Sequence, residues 1–244
     1  MAKRKDSDIA IIAIAAFLIG MLAGALLPLN QNTALAPAPD ISSSPKITMG
    51  VPAVDDRGNG VLGKLTTAVR PGSGQVLVDV KDLITLGDTQ QSARRAVEAA
   101  AAYARKDLKN IDVIFGIEVN ATSIEGTSAG ASMAMSVVMG LNNQTPRTDV
   151  MITGTIDETG KIGKVGSVSE KAKAAKAGGA KIFLVPRGQA ADSQTEKTRQ
   201  CRSVGNTQHC RIVYETKQVS IAEKLNITVI EVDTLSDAAG YFIA

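Results

Sequence analysis

Tryptophan is absent from this sequence, and the other aromatic residues are few, with three tyrosines and four phenylalanines among 244 residues. Large rings therefore cannot supply most of the buried surface. The core must be built mainly from Ala, Val, Ile and Leu. The roughly 200 residues beyond the N-terminus are enough for one sizeable core of this kind. The composition predicts one globular domain rich in small and aliphatic side chains.

An excess of either charge is also lacking. Lys and Arg total 27 against 24 Asp and Glu, which gives a net charge of +3. Basic and acidic residues are interleaved along the chain, whereas proteins that bind nucleic acid concentrate basic residues on one surface. The sequence predicts no nucleic-acid partner.

A complete nucleotide-binding motif is missing as well. Residues 58–64 match the first seven positions of a P-loop, but Leu65 follows where a Ser or Thr would hold Mg²⁺. The strand, loop and helix that surround a P-loop are not predicted there, and no other stretch resembles an ATPase module. We therefore expect no nucleotide binding and no ATP-driven unfolding by this chain.

The first thirty residues carry the clearest topological signal. Residues 1–8 form a short basic N-terminus, and residues 9–29 contain no charged side chain. A helix of that length is about 30 Å long, enough to cross the hydrocarbon core of a membrane. The basic residues in front of it favour a cytoplasmic N-terminus. We expect a single-pass anchor in the cell membrane, a linker at 30–46 and an extracytoplasmic domain at 47–244.

A cleaved signal peptide is the alternative interpretation of this segment. Ala34-Leu35-Ala36 would supply a small-x-small cleavage site. The apolar run is long for a signal peptide, however, and Pro37 follows the bond that would be cut. These two features favour the anchor.

Cysteine and histidine are scarce, since the chain has only Cys201, Cys210 and His209. A zinc site would need a fourth ligand, and none stands nearby, so no metal site is predicted. Two cysteines in a polar segment that faces an oxidising compartment favour a disulfide that closes a hairpin. Two unpaired thiols are the alternative.

The stretch around Ser128 is the first candidate for catalytic chemistry. The apolar pattern of 111–119 predicts a strand, and residues 131–140 predict a helix that begins at or just after Ser128. Backbone N–H groups at a helix start can hold an oxyanion, and small neighbours leave room for a substrate backbone. The pattern is typical of a nucleophilic serine.

A serine hydroxyl needs a base to act as a nucleophile at neutral pH, and the candidates are His209 and Lys171. Ser167 and Glu170 stand at capping-box spacing and predict a helix that ends at residues 178–179. Lys171 would lie in its first turn. There the positive end of the helix dipole and partial burial disfavour the charged amine, as a lysine base requires.

Four motifs in this order and at this spacing resemble the Lon-type serine peptidases, which use a Ser-Lys dyad. The likeness is closest to membrane-anchored archaeal Lon-like proteins that lack an ATPase, and it covers roughly residues 48–244. The separation of 43 residues between Ser128 and Lys171 also agrees with the family. The motifs are Glu125-Gly126-Thr127-Ser128-Ala129-Gly130, residues 149–154, residues 160–166, and Ser169-Glu170-Lys171 with the Ala-rich stretch that leads to residues 180–186.

The resemblance implies a fold, a set of roles and a function. The fold is α+β, the Lon proteolytic domain, which is similar to the second domain of ribosomal protein S5. Ser128 would be the nucleophile and Lys171 the general base. The supporting residues would be Thr153, whose hydroxyl helps to orient Lys171, Glu125, and Thr127 and Ala129 in the oxyanion region.

The expected function is that of a membrane-anchored, ATP-independent serine endopeptidase that hydrolyses unfolded proteins or peptides. The resemblance implies no metal or organic cofactor. It does imply that the domain associates with copies of itself into a ring. Two positions depart from the family pattern: Thr127 stands where bacterial Lon has proline, and Ser167 replaces the second glycine of a Gly-Gly pair. Both bear on loop geometry and on no catalytic group.

Two other functions remain open. Residues 126–130 also satisfy the Gly-x-Ser-x-Gly elbow of α/β-hydrolases, in which His209 would be the base of an esterase and Asp192 or Asp149 would orient it. The chain could also be a non-catalytic, membrane-tethered binding module that keeps the Lon fold.

Strands and helices are predicted along the rest of the domain, with a polar surface excursion at residues 187–213. The predicted strands are 47–54, 60–70, 75–80, 150–156, 161–165, 181–185 and 228–232, and the further helices are 89–106, 217–225 and 235–242.

Overall fold

A computed structural model describes residues 46–80, 84–85, 88–120, 123–124 and 127–243. The predicted segments 1–8 and 9–29, most of the linker at 30–46, and Glu125 lie outside these residues. Within the described part of the chain, no helix is both long enough and apolar enough to cross a membrane.

The described elements follow one another as a series of short strands and helices. In chain order they are β1 (Lys46–Val54), β2 (Gly60–Pro71), β3 (Val76–Val80), β4 (Ile84–Thr85), α1 (Asp88–Ala104), β5 (Ile111–Val119), β6 (Ser123–Ile124), a 3-10 turn (Thr127–Ala129), α2 (Gly130–Leu141), β7 (Val150–Ile152), β8 (Thr155–Ile156), β9 (Ile162–Gly163), α3 (Val168–Ala177), β10 (Ile182–Pro186), β11 (Ala191–Val204), β12 (Thr207–Ser220), α4 (Ile221–Leu225), β13 (Thr228–Val232) and α5 (Leu235–Phe242).

The main sheet has four strands in the order β1-β2-β5-β3. β1, β2 and β5 pair antiparallel, and β3 joins the edge parallel to β5. β5 is rich in β-branched residues, which favour strands, and its Val113 and Phe115 are fully buried. The second sheet is parallel, in the order β13-β10-β7. Helices pack on these sheets, so the predicted mixture of α and β elements is confirmed.

The segment that resembles a P-loop, residues 58–64, spans the end of the β1–β2 connection and the first five residues of β2. Oδ1 of Asp55 accepts the backbone N–H of Arg57 at 3.0 Å and that of Asn59 at 2.7 Å, which tightens the turn. The chain then continues directly into β2, where a P-loop would open a helix.

α2 is the central helix of the core. Every residue from Gly130 to Leu141 is buried except Gly140. The helix contacts β1 and β2 as well as α1. α1 contributes a face of small residues, in which Ala93, Ala96 and Ala100 are fully buried. Alanine allows close approach of two helices, so small side chains fill the space that aromatic rings occupy in other cores.

β11 and β12 form a long hairpin at the surface, where a polar excursion was predicted. They pair over the whole length of both strands, from Ala191 opposite Ser220 to Val204 opposite Thr207. Cys201 lies directly opposite Cys210, and the structure joins them in a disulfide.

The predicted helix at 217–225 is wrong in its first half. Residues 217–220 belong to β12, because pairing with β11 supplies their backbone partners as far as Ser220. The Ser220 side chain then accepts the N–H of Glu223 and caps α4, which begins only at Ile221.

Asp112 organises the turn between β2 and β3. Its Oδ1 accepts the backbone N–H of Ser73 at 2.8 Å and of Gln75 at 2.9 Å, and its Oδ2 lies 3.8 Å from Nη2 of Arg70. The hydrogen bond from Gln75 is the main cause that holds the pKa of Asp112 below its ordinary value, although burial opposes it. A Cβ on Gly72 would lie 2.0 Å from Cγ of Asp112, so glycine is required there.

Replacing Asp112 with alanine should lower the free energy of unfolding by about 2–4 kcal/mol at neutral pH, because two backbone N–H groups lose their acceptor. The folded-state pKa lies below 3.8, so this contribution is present above that pH and is lost as the pH falls through the folded-state value. Urea unfolding across the acid range measures it. Asp107→Ala, which removes an exposed carboxylate paired with Lys109 at 3.6 Å, is the control, with a change below about 1 kcal/mol. A difference between wild type and Asp112→Ala that does not vary with pH would contradict this assignment.

Candidate active site

Ser128 lies at the centre of the 3-10 turn that leads into α2. Its side chain is only 5% exposed, whereas that of Thr127 is exposed and that of Ala129 is buried. The predicted helix start at Ser128 is therefore confirmed to within two residues. Ala129 is the N-cap of α2 and provides no side-chain cap.

The backbone of Ser128 is fastened to the segment between β7 and β8. Its carbonyl oxygen accepts the N–H of Gly154 at 3.0 Å and the hydroxyl of Thr153 at 3.3 Å. The carbonyl of Gly154 in turn accepts the N–H of Ala131 at 3.0 Å. These three hydrogen bonds fix the turn from both sides. The hydroxyl of Thr153, expected to orient Lys171, thus has the Ser128 carbonyl as a partner.

The start of α2 fits against β8 because Gly130 has no side chain. A Cβ there would lie 3.0 Å from both Cγ2 and N of Ile156 and 3.1 Å from Oγ of Ser92. The small residue at this position serves close packing of the helix on the strand. Room for a substrate backbone, the predicted reason for a small residue, is not what Gly130 provides.

Two further serines of α2 were not singled out in the sequence. Ser132 and Ser136 follow Ser128 at intervals of four, so they continue its side of the helix. Ser132 Oγ donates to the carbonyl of Ile152 at 2.8 Å, and Ser136 Oγ lies 2.7 Å from Oγ1 of Thr67. The helix that follows Ser128 is thereby tied to both sheets. The spacing alone could have revealed this line of serines.

Lys171 lies in the first turn of α3 and is 1% exposed. Its N–H donates to the carbonyl of Ser167 at 3.1 Å. The predicted capping box is wrong, because Ser167 adopts a left-handed conformation (φ 54°) and makes no side-chain cap. Lys173, two residues further along α3, is exposed, and its Nζ lies 3.7 Å from Oε1 of Glu170.

α3 lies close against the main sheet at the end where Lys171 is found. It contacts β1 and β2, and a Cβ on Gly60 would lie 2.0 Å from the carbonyl oxygen of Glu170. Gly60 therefore sets the position of the helical turn that carries Lys171.

β1 is the element that the two candidate segments share. Both the 3-10 turn with Ser128 and α3 with Lys171 contact this strand. A buried serine and a buried lysine are thus carried by two segments that pack against the same strand. This is an arrangement that nucleophilic catalysis by serine can use.

Residues 60–218 match the model of the Lon protease (S16) C-terminal proteolytic domain, which is more than half of the chain. The chain belongs to this family. It is a family of serine endopeptidases, so the predicted fold family and enzyme class are confirmed.

Curated Lon proteases show the same likeness over the proteolytic domain. Lon protease 1 of Syntrophobacter fumaroxidans is 32% identical over 145 residues, which are 55% of this chain and 17% of the relative. The Lon protease of Nitratidesulfovibrio vulgaris is 35% identical over 143 residues, 54% of this chain and 17% of the relative. The Lon protease of Roseiflexus castenholzii is 30% identical over 171 residues, which are 64% of this chain and 21% of the relative. This Lon-type chain therefore spans about a fifth of the length of these relatives.

A polar groove of about 440 Å³ opens beside the 3-10 turn of the Lon-type domain. Thr127 lines it, together with Arg95 from α1 and Asp157 and Lys161 from the β8–β9 connection. The hydroxyl of Thr159 is the main cause that holds the pKa of Asp157 below its ordinary value. With Asp88 of α1, the groove thus contains two carboxylates and two cations.

The structure does not bring together the residues of the α/β-hydrolase alternative. His209 is exposed near the tip of the β11–β12 hairpin, in a depression lined by hairpin residues alone. Asp192 lies 3.9 Å from Lys224, and Asp149 makes two hydrogen bonds of 3.0 Å to Arg147. Among the described residues, no cluster of His, Cys, Asp and Glu could hold a metal ion.

Gly60→Ala should displace the first turn of α3, because the added Cβ would lie 2.0 Å from the Glu170 carbonyl oxygen. We expect the free energy of unfolding to fall by about 1–3 kcal/mol and the hydrolysis of unfolded casein to fall with it. Gly166→Ala is the matched control, since nothing lies within 4 Å of a Cβ there. Chemical unfolding and casein hydrolysis of both variants check this. A Gly60→Ala protein with wild-type stability and activity would contradict the close approach.

Proposed function

We propose that this chain is a membrane-anchored serine endopeptidase that works without ATP, with Ser128 as nucleophile and Lys171 as general base. The observation that carries the proposal is the burial of both side chains on segments that contact β1, within a family of proteolytic domains. The subgroup we favour is the membrane-anchored archaeal one without an ATPase.

The first half of the reaction forms an acyl-enzyme. Nζ of Lys171, in its neutral form, takes the proton from Oγ of Ser128 as that oxygen attacks the carbonyl carbon of a peptide bond. Backbone N–H groups near Thr127 and Ala129 stabilise the negative oxygen of the tetrahedral intermediate. The C–N bond then breaks, and the leaving amine takes the proton from Lys171.

The second half releases the acid product. Lys171 takes a proton from a water molecule, whose oxygen attacks the ester carbonyl carbon. The ester bond to Oγ breaks, and Oγ regains the proton from Lys171. The enzyme returns to its starting state with one peptide bond hydrolysed and no cofactor consumed.

The surroundings of Lys171 support its role as a base. A side chain that is 1% exposed loses most of its hydration, which disfavours the charged form of the amine. Its place in the first turn of α3 adds the positive end of the helix dipole, which acts in the same direction. Thr153 supports the nucleophile, since its hydroxyl donates to the carbonyl oxygen of Ser128.

Substrates and setting follow from what surrounds the site and from the sequence. The groove beside Thr127 is open to solvent, and most of its lining residues are charged or polar, which suits an extended polypeptide. The chain carries no ATPase motif, so the proposed substrates are unfolded segments, exposed loops or peptides. The apolar segment 9–29 would hold the domain at the outer surface of the cell membrane, and the domains would associate into a ring.

Removing either member of the dyad should abolish hydrolysis of unfolded casein and of a fluorogenic peptide by the full chain in detergent, without ATP. We expect Ser128→Ala and Lys171→Ala to lose at least about 10³-fold in rate. Lys173→Ala, two positions from Lys171 and exposed, and His209→Ala should keep the wild-type rate, and added ATP should change nothing. Loss of activity in His209→Ala would contradict the dyad, and a wild-type protein that is inactive as a folded oligomer would favour the non-catalytic binding module.

Deleting residues 9–29 should move the protein from the membrane to the soluble fraction while casein hydrolysis is retained. The wild-type chain should resist carbonate extraction, because a spanning helix is held by the hydrophobic effect. Membrane fractionation measures the shift to the soluble fraction and the resistance to carbonate. Mass spectrometry of the intact chain gives its mature N-terminus. A mature N-terminus at residue 37 would show that the segment is a cleaved signal peptide.

A further inference from the structure

The β11–β12 hairpin has two faces of different character. Side chains alternate between the faces of a strand, and residues directly opposite each other share a face. In the observed register Lys197 lies opposite Tyr214, and Arg199 lies opposite Ile212. We call the side of the hairpin that carries these four residues and the disulfide the Tyr214 face.

Acidic residues of the hairpin fall on the opposite face. Glu196 and Glu215 lie opposite each other there, and Lys217 Nζ is 2.7 Å from Oε2 of Glu196. From Ser193 to Gln218 the Tyr214 face has no carboxylate. Strand alternation thus confines the carboxylates of the hairpin to the opposite face, where Lys217, Arg211 and Arg202 also lie and balance them, and it leaves the two cations of the Tyr214 face without a carboxylate beside them. Lys197 and Arg199 form no ion pair with another described residue.

The apolar members of the Tyr214 face are strongly exposed. Tyr214 is 65% exposed and Ile212 is 51% exposed, more than any other large hydrophobic residue in the described part of the chain. Two such residues flanked by two cations form a surface that is both apolar and positively charged. This combination is typical of segments that lie in a membrane interface, where aliphatic stems and aromatic rings leave water while cations stay among the headgroups.

We propose that the Tyr214 face docks on a bilayer that contains anionic lipids. Lys197 and Arg199 contact the lipid phosphates, and Tyr214 and Ile212 enter the interfacial layer. A soluble acidic polymer would match the charges and leave Ile212 in water. A second copy of the same face would bring like charges together. The bilayer is the occupant that suits all four residues.

The dimensions of the chain are consistent with this contact. Fourteen residues per strand extend about 45 Å, and the base of the hairpin contacts α4. The hairpin thus extends well beyond its attachment to the core, and the contact rests on the membrane setting of the proposed function.

The disulfide gives this surface a defined shape. An isolated two-stranded hairpin is only marginally stable in water. Cys201 and Cys210 cross-link the strands within the Tyr214 face, two residues along each strand from Arg199 and Ile212. The four docking residues are therefore held in place before they meet the membrane.

The absence of tryptophan allows a direct test. Tyr214→Trp places a single indole on the face, and Tyr103→Trp, at a 38% exposed tyrosine of α1, is the control position. Each full-length protein is reconstituted under oxidising conditions in nanodiscs of phosphatidylcholine, with or without phosphatidylglycerol, and in matching discs of brominated lipid. Charge dependence is measured by adding Lys197→Glu and Arg199→Glu to Tyr214→Trp. The matched control adds Arg57→Glu and Arg94→Glu, the same change of net charge at exposed sites outside the hairpin.

We expect the emission at position 214 to shift to shorter wavelength and to be quenched by brominated lipid in the anionic discs, with no such response at position 103. The response should be lost with Lys197→Glu and Arg199→Glu and kept with Arg57→Glu and Arg94→Glu. An unquenched indole at position 214, or equal quenching in both charge variants, would overturn the proposal. A response to soluble polyglutamate or RNA in place of the anionic discs would overturn it in favour of that partner. Casein hydrolysis by the same proteins reports on the peptidase separately.

Discussion

The attachment of the Ser128 carbonyl to the β7–β8 segment is the interaction on which the site depends. A 3-10 turn is a weak element by itself, because its hydrogen bonds are poorly aligned. Here the turn receives hydrogen bonds from Gly154 and Thr153, while Gly154 accepts one from Ala131 at the start of α2. The second sheet thereby determines where the turn lies. The serines that follow along α2 extend the same attachment to Ile152 and Thr67.

Small residues make this arrangement possible. With few aromatic side chains, the core relies on close approach of backbone to backbone, at Gly130 against Ile156 and at Gly60 against Glu170. Each approach positions one of the two candidate catalytic residues, since Gly130 follows Ser128 by two residues and Glu170 precedes Lys171. Tight packing of this kind resists rearrangement, because an added methyl group cannot be absorbed without moving a strand or a helix. The packing of these small residues therefore also sets the positions of the two candidate catalytic residues.

The hairpin of β11 and β12 follows a different physical principle. Its residues are almost all exposed, so it is held by strand pairing and by the Cys201–Cys210 disulfide, and burial contributes little. Because the hairpin buries few side chains, its sequence can change without disturbing the segments that carry Ser128 and Lys171. This freedom suits a surface that recognises something other than the polypeptide substrate.

By itself the sequence determined the family, the two candidate catalytic residues, the helix after Ser128 and the mixture of strands and helices. Those features are local, because motif order, periodicity and helix-breaking glycines are all written along the chain. The tertiary structure alone decided the left-handed Ser167 in place of a capping box, the strand at 217–220 in place of a helix, and the close approach of Gly60 to α3. It also decided that the carboxylates of the hairpin lie on one face and that the face with Tyr214 carries cations alone. Each of these depends on a partner distant in sequence, and long-range packing or strand pairing overrides local propensity when it supplies more hydrogen bonds or buries more surface.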